Sequence, residues 1–337
     1  MTLPSTMLAI TIAQPGGPEV LTPRTLPLPP CGPEDVLIRV AAAGVNSPDI
    51  AQRAGHYDPP PGASPLPGLE VSGQIVALGS AVTGFALGDT IMALTNGGGY
   101  AEYAAVPAGQ VLPIPANWSL LDAAALPETW FTVTQTLVMR AGLTSGMSVL
   151  VHGAAGGIGG AAIQIATILG ARAIAVVSSP EKAAYAQSLG AVATIDRTSE
   201  DIAARVLELT DGHGVDRILD IIGGHMTAIN VAAAARGGHI VQVATLDGGT
   251  VQLPLRQLMA KQLTLSGSTL RPQTSATKAA IATRIRTDLL GPLGAPDLPR
   301  PRITHIPLEQ ASAAHTAMEA RSHIGKFVLT TSFGGQL

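Results

Sequence analysis

The chain has 337 residues, of which 46% are hydrophobic and only 13% charged, with a formal charge of −3. That length suggests two domains with ample core, and the absence of a basic patch argues against a nucleic-acid partner. No run of about 18 apolar residues suggests a membrane span, and Met1 to Ala13 lacks the charged start and long apolar core of a signal peptide.

Cys31 is the only cysteine, so no internal disulfide can form, which fits a cytoplasmic protein. Residues up to about Leu120 hold short apolar runs at 36–45, 71–78, Thr90–Leu94 and 100–106. Frequent Gly and Pro turn signals between them predict a β-rich, barrel-like domain. From Leu120 the pattern changes to alternating strand and helix, beginning with a strand at Ser148–Val151. A helix at 161–169, stopped by Gly170, leads to a strand at 171–177. Helices at 181–189, 200–209 and 226–235 then alternate with strands at 193–195, 217–222, 238–244 and 262–266. The expected fold class is α/β, a six-stranded doubly wound parallel sheet of Rossmann type beside the β-rich domain. The tail holds two helical stretches, 275–290 and 308–320, and a last strand at 326–331, and is expected to fold back onto the first domain.

The most informative segment is Ala154-Ala155-Gly156-Gly157-Ile158-Gly159, which joins the first strand of this series to its helix. It has the spacing G-x-G-x-x-G with Ala154 at the first place. Gly156 allows close approach of a pyrophosphate, Gly159 allows the helix to pack on the sheet, and the N–H groups at the helix start face the anion. The second strand ends at Val177-Ser178-Ser179-Pro180-Glu181-Lys182, with no acid at its tip to hold a ribose 2′-OH. Ser178, Ser179 and Lys182 could hold a 2′-phosphate instead, which favours NADPH over NADH. The alternative is a plain capping motif, with Ser179 as N-cap, Pro180 at the first helical position and Lys182 solvated. Asp196 and Arg197 end the third strand, where an acid would weaken a phosphate preference that the arginine could offset.

Several further motifs occur in one order along the whole chain: Gln14-Pro15-Gly16-Gly17-Pro18-Glu19, Ala43-Gly44-Val45-Asn46-Ser47-Pro48-Asp49 and Pro67-Gly68-Leu69-Glu70-Val71-Ser72-Gly73. Gly88-Asp89, Gly97-Gly98-Gly99-Tyr100-Ala101-Glu102-Tyr103 and Ile324-Gly325-Lys326-Phe327-Val328-Leu329 follow. With the glycine-rich turn, this set resembles the medium-chain dehydrogenase/reductase superfamily and its zinc-free quinone oxidoreductase branch. The run Gly55-His56-Tyr57-Asp58-Pro59-Pro60-Pro61-Gly62-Ala63-Ser64 is similar to the tumour-suppressor-inducible subgroup.

The resemblance implies a GroES-like catalytic domain over 1–125 and 270–337 and a Rossmann NADPH-binding domain over 126–269. It implies an acceptor pocket in a cleft between them, lined by Asn46, Asp49 and Tyr57. Asn46 would orient the carboxamide or the acceptor oxygen. Tyr57 would hydrogen-bond a developing oxyanion, or merely wall the pocket. Asp49 could equally be a structural cap, and Glu70 a buried structural partner. Thr132, Ile222, Gly223, Ala244, Thr245, Ser266 and Lys326 are implied cofactor or pocket residues.

Zinc-dependent relatives carry Cys at the place of Asn46 and His at that of Leu69, so no metal is expected. The expected activity is NADPH-dependent reduction of a small-molecule quinone or other activated carbonyl. Reduction of activated C=C bonds in enones or enoyl thioesters, and a redox sensor with little turnover, stay open. A coenzyme A thioester would call for basic residues at the pocket mouth, where only Arg53 is visible. An uncovered sheet edge at 238–244 and 262–266 would pair two subunits, so a homodimer is expected.

Overall fold

The computed structural model describes residues 3–336. They form two compact units. One holds residues up to Phe131 together with Arg271–Ala295 and the segment from Arg302, and the other holds Thr132–Leu270 and Pro296–Pro301. No helix among the described residues is long and apolar enough to cross a membrane.

In the central unit the described residues form a six-stranded parallel sheet. In spatial order its strands are Ala193–Asp196, Arg172–Val177, Ser148–Val151, Val215–Asp220, Ala234–Gln242 and Thr264–Gly267. Numbered along the chain this is the order 3-2-1-4-5-6, the doubly wound arrangement expected from the alternation of strand and helix. Leu150, Ile174, Val176, Ile195, Ile218 and Ile240 bury the middle of the sheet under its helices. A strand covered on both faces reads as a continuous apolar run, which is why these strands were conspicuous in the sequence.

The other unit is built on a seven-stranded sheet, in the order Ile303–Pro307, Lys326–Thr330, Asp35–Gly44, Glu70–Leu78, Thr90–Leu94 and Val111–Pro113, with Tyr103–Pro107 also paired to Asp35–Gly44. The long strand Asp35–Gly44 pairs with three others, helped by register shifts at Leu37/Ile38 and Val40/Ala42. The last strand runs antiparallel to it, with Val328 opposite Gly44. That register carries Lys326 to Asn46, far away in sequence. The tail segments Arg271–Ala295 and Arg302 onward belong to this unit, so the tail does return to the first part of the chain.

Several boundaries differ from expectation. The helix after the glycine-rich turn begins at Gly157 rather than 161, because glycine's poor helix propensity is overridden at a first turn packed on the sheet. The expected strand at 100–106 begins at Tyr103, since Tyr100 is bonded to Pro67 instead. The last strand of the parallel sheet begins at Thr264 because Gln262, at φ 54°, ends the helix Leu255–Lys261 in the left-handed region. The strands Thr6–Ile12, Leu21–Pro27 and Ile303–Pro307 were not foreseen. Leu21–Pro27 and Ile303–Pro307 are short, Pro-containing and partly polar, so their alternation is weak, whereas the apolar run Thr6–Ile12 was passed over.

Candidate functional site

The central unit offers a backbone-built site. The strand Ser148–Val151 ends in a turn in which Gly153 takes φ 62° and Gly156 caps the helix Gly157–Ile168 in extended conformation. A Cβ on Gly159 would stand 2.5 Å from both Ala154 Cα and Gly153 O, so only glycine lets the helix approach this closely. A Cβ on Gly156 would meet only Gly153 O, at 3.5 Å, which leaves the approach to the turn open. The first N–H groups of a helix have no intrahelical acceptor and carry its positive end. Ala154 and Ala155 are buried beneath the turn, and Gly157 and Ile158 are part-exposed on it. Such a cradle fits a pyrophosphate.

Around it the expected residues fall into distinct roles. Ser179 Oγ accepts the Lys182 N–H at 3.3 Å, so Ser179 is the N-cap of Pro180–Ser188, as the capping alternative had it. Lys182 Nζ lies 3.4 Å from Ser178 Oγ, which puts both at the tip of the second strand. Asp196 accepts the Thr198 N–H and hydroxyl at 2.9 and 2.7 Å, and these bonds hold its carboxyl below the usual carboxylate range. Ile222 and Gly223 donate their N–H groups to Asp220 Oδ1 at 2.6 and 3.1 Å.

The other oxygen of Asp220 takes Asn230 Nδ2 at 2.9 Å, and Asn230 Oδ1 stands 2.7 Å from His152 Nε2. Asn230 can then only accept there, so His152 carries its proton on Nε2. Burial holds that ring below the ordinary histidine range, so it is neutral and structural. Ala244 O accepts Gln242 Nε2 at 2.5 Å, and Thr245 is exposed just beyond it. Ser266 Oγ is bonded to His239 Nε2 at 2.7 Å on the edge strand. Thr132 is buried in the helix Pro127–Val133.

The second unit offers a site made of side chains. Asn46 precedes the helix Ser47–Arg53, and Asp49 Oδ2 caps the Asn46 N–H at 2.9 Å. Asp49 Oδ1 accepts the Gly68 N–H at 2.9 Å, and the carboxylate is wholly enclosed. Burial raises its pKa to about 6 against these two bonds. Asp49 thus ties the Asn46 and Gly68 loops together, which is the structural-cap role the sequence had left open beside the pocket role. Asn46 is itself fixed from both sides: its Nδ2 donates to Glu70 Oε1 at 2.8 Å, and its Oδ1 accepts from Lys326 Nζ at 2.7 Å. Lys326 also pairs directly with Glu70 Oε1. Lys326 is thus enclosed in unit-internal bonds rather than presented to a phosphate. Asn46 keeps one N–H uncommitted.

Glu70 Oε2 accepts the N–H of Glu128, whose own carboxyl has no hydrogen-bond partner among the described residues. Burial first, then Glu70 and Asp49, raise the Glu128 pKa to about 8, so this carboxyl is mostly protonated at neutral pH. Tyr57 is half-buried, and Arg271 Cζ lies 5.5 Å from its ring centroid. Burial, followed by Glu128, raises the Tyr57 phenol, so its hydroxyl stays a donor. Arg271 Nη1 bonds Gln52 Oε1 at 2.8 Å, and Lys278 Nζ bonds Asn96 Oδ1 at 2.6 Å and Arg271 O at 2.8 Å. Arg53, the one basic residue visible at the pocket mouth in the sequence, is instead spent on Glu319.

Glu128, Arg271 and Lys278 were missed by sequence reasoning. A signal existed for Lys278, which falls on the apolar stripe of its helix with Ile281, Ala282 and Ile285. No group of three metal-ligating side chains is found among the described residues. Glu70, the acid next to a zinc ligand in metal-dependent relatives, here answers to an ammonium group.

Two family models match the chain, an alcohol dehydrogenase GroES-like domain over residues 32–116 and a zinc-binding dehydrogenase model over 157–284. A quinone oxidoreductase of Pseudomonas aeruginosa is 34% identical over 95% of this chain and 98% of its own length. A quinone oxidoreductase-like protein 2 homolog of Nematostella vectensis is 36% identical over 70% of this chain and 65% of that protein. The solved structure of a mycobacterial protein complexed with NADPH superposes with a TM-score of 0.82 at 30% identity, covering 96% of this chain and all of that one. The chain belongs to the medium-chain dehydrogenase/reductase superfamily, among its quinone oxidoreductase homologues, and is an oxidoreductase. The Glu70–Lys326 pair is consistent with the zinc-free branch.

Proposed function

We propose that the protein reduces quinones with NADPH, without a metal, and that the observation carrying this reading is the glycine-built cradle at Gly156–Gly159 beside Ser178 and Lys182. The turn N–H groups hold the pyrophosphate, and Lys182 with Ser178 holds the 2′-phosphate. The capping bond of Ser179 and the charge of Asp196 limit that preference to a modest one. Residues 126–269 serve as the cofactor-binding part, and residues 1–125 and 270–337 as the catalytic part.

When bound, the reduced nicotinamide supplies two electrons as hydride. This chain's residues supply the rest. Asn46, clamped by Glu70 and Lys326, presents its remaining Nδ2–H to the carboxamide or the acceptor oxygen. The Tyr57 hydroxyl donates a hydrogen bond to the oxyanion as it forms, then its proton, and is reprotonated from solvent. A donor already in place costs no reorganisation, so loss of one such group slows turnover by about 10²–10³.

The edge strand Thr264–Gly267 and the helix Leu255–Lys261 expose Leu255, Met259 and Leu265. This apolar edge supports a homodimer. A cytoplasmic location fits the lone cysteine.

Oxidation of NADPH by an ortho-quinone, run with a chelator and repeated with NADH, tests the whole reading. Chelator-resistant turnover faster with NADPH is expected. Turnover with NADH alone would remove the Ser178/Lys182 argument, and loss of activity with chelator would remove the metal-free one.

A further inference from the structure

The same unit has a cavity of about 800 Å³, whose wall includes Asn96, Gly97, Thr274, Lys278 and Arg271, the neighbour of the Tyr57 ring. The wall carries one carboxylate, Asp35, whose Oδ2 accepts the Gly32 N–H at 3.2 Å, against two cations, Arg271 and Lys278. Arg271 and Lys278 are both almost wholly buried, yet no carboxylate pairs with either among the described residues. A buried cation without a counter-charge is strongly disfavoured unless something of opposite sign joins it. Two acids act on Arg271 from a distance: Asp49 has its oxygens tied to the Asn46 and Gly68 N–H groups, and burial keeps Glu128 mostly protonated at neutral pH.

The donors are also in surplus. Arg271 has five N–H bonds, and its hydrogen-bond partners among the described residues are Gln52 Oε1 and Asn96 O. Its Nε is buried with no acceptor among the described residues. Lys278 has a third N–H beyond those given to Asn96 and Arg271 O. The helix Ser275–Arg284 starts on the same wall with Thr274 as its N-cap, and adds the positive end of its dipole.

We propose that this cavity binds an anionic group carried by the electron acceptor, a carboxylate or a phosphate, through Arg271, Lys278 and the start of the helix Ser275–Arg284. The inference rests on the reductase reading and narrows its substrate to acceptors with an acidic substituent. Arg271 then has two neighbours to serve: its guanidinium faces the Tyr57 ring on one side and the anion on the other. That places the reducible ring of the acceptor next to the Tyr57 hydroxyl while its charged arm lies in the cavity. The two sources of the anion differ in reach. A carboxylated quinone brings a short arm, and an enoyl thioester of coenzyme A brings phosphates on a long one.

The test compares matched pairs on the full protein. One pair is a 1,4-naphthoquinone with a propionate side chain and its methyl ester. The other is the crotonyl thioester of coenzyme A and that of N-acetylcysteamine, which lacks phosphate. Calorimetric titration of each probe and KM with NADPH are both read. We expect a preference of at least tenfold for the charged member of one pair, and the pair that shows it identifies the anion.

Arg271→Met and Lys278→Met should collapse that ratio toward one, whereas Arg271→Lys and Lys278→Arg should retain most of it. High salt should shrink it in the unaltered protein, a reading that needs no variant to fold. Equal affinity for charged and neutral members in both pairs overturns the inference. Failure of the reductase reading looks different: the charged probe would still bind preferentially, while no probe would oxidise NADPH.

Discussion

The two units solve the problem of holding a reactant in opposite ways. In the central unit the cradle is made of backbone, and the packing beneath it demands the absence of a side chain at Gly159, while Gly156 keeps the approach open. In the other unit the site is made of buried ionisable groups: Glu70, Lys326, Asp49, Glu128, Arg271 and Lys278 are all nearly inaccessible. A backbone site tolerates changes around it and fails when a Cβ is added. A charged site is rigid only while every partner is present, and it responds to pH.

That contrast predicts the largest effect at Lys326. Replacing it by Met leaves Glu70 as a buried charge with only Asn46 and an N–H to satisfy it, and should cost about 3–5 kcal/mol in urea unfolding. Adding Glu70→Gln should return part of the loss, and a plain sum of the two changes would show that the pair is not coupled.

Gly159→Val is next. Its Cβ would collide with backbone at 2.5 Å, which no rotamer change relieves. We expect about 1–3 kcal/mol of destabilisation and loss of NADPH binding by fluorescence titration. Unchanged NADPH affinity would mean the turn is not the cradle.

The third prediction concerns pH. The folded pKa of Glu128, about 8, lies above its ordinary value of 4.5, so the folded state binds the proton more tightly. Its favourable contribution is complete below about pH 4.5 and is lost as pH rises through about 8. Glu128→Gln should therefore gain stability relative to the parent protein across that window, with a slope of at most about 1.4 kcal/mol per pH unit. A difference independent of pH would show that Glu128 is ionised throughout.

The smallest effect is at Ser179. Ser179→Ala removes a helix cap worth about 1 kcal/mol. If Ser179 only caps, the ratio of NADPH to NADH affinity should stay fixed while Tm falls. A fall in that ratio would return Ser179 to the phosphate pocket.

The same contrast explains what could be read from the sequence. The doubly wound parallel sheet and its glycine-rich turn were legible because they depend on local features, buried apolar runs and glycine spacing within twelve residues. Asn46, Tyr57 and Lys326 were singled out through motifs, but the bonds among Asn46, Glu70 and Lys326 were not visible, since they span 24, 256 and 280 positions and leave no local pattern. Asp49 was left between two roles because a carboxylate three residues into a helix serves equally well as a cap or as a pocket acid, and its bond to the Gly68 N–H lies outside that local pattern. Arg271 and Lys278 were passed over because a single cation in a polar tail reads as solvated until its burial is known. Arg53 illustrates the converse, a cation near the right loop whose charge is consumed by Glu319.

The position of the strand Lys326–Thr330 has a consequence for synthesis. It lies between Asp35–Gly44 and Ile303–Pro307 in the finished sheet, so a ribosome must deliver more than 320 residues before the first unit can close. The segment Thr132–Leu270 is continuous apart from Pro296–Pro301 and is complete long before that. The nascent protein should therefore acquire its parallel sheet during translation, while the open edge of Asp35–Gly44 waits for its partner. During that interval the waiting edge is exposed to chaperones and to mispairing, and ribosome-stalled chains should show a protease-resistant centre with a sensitive beginning.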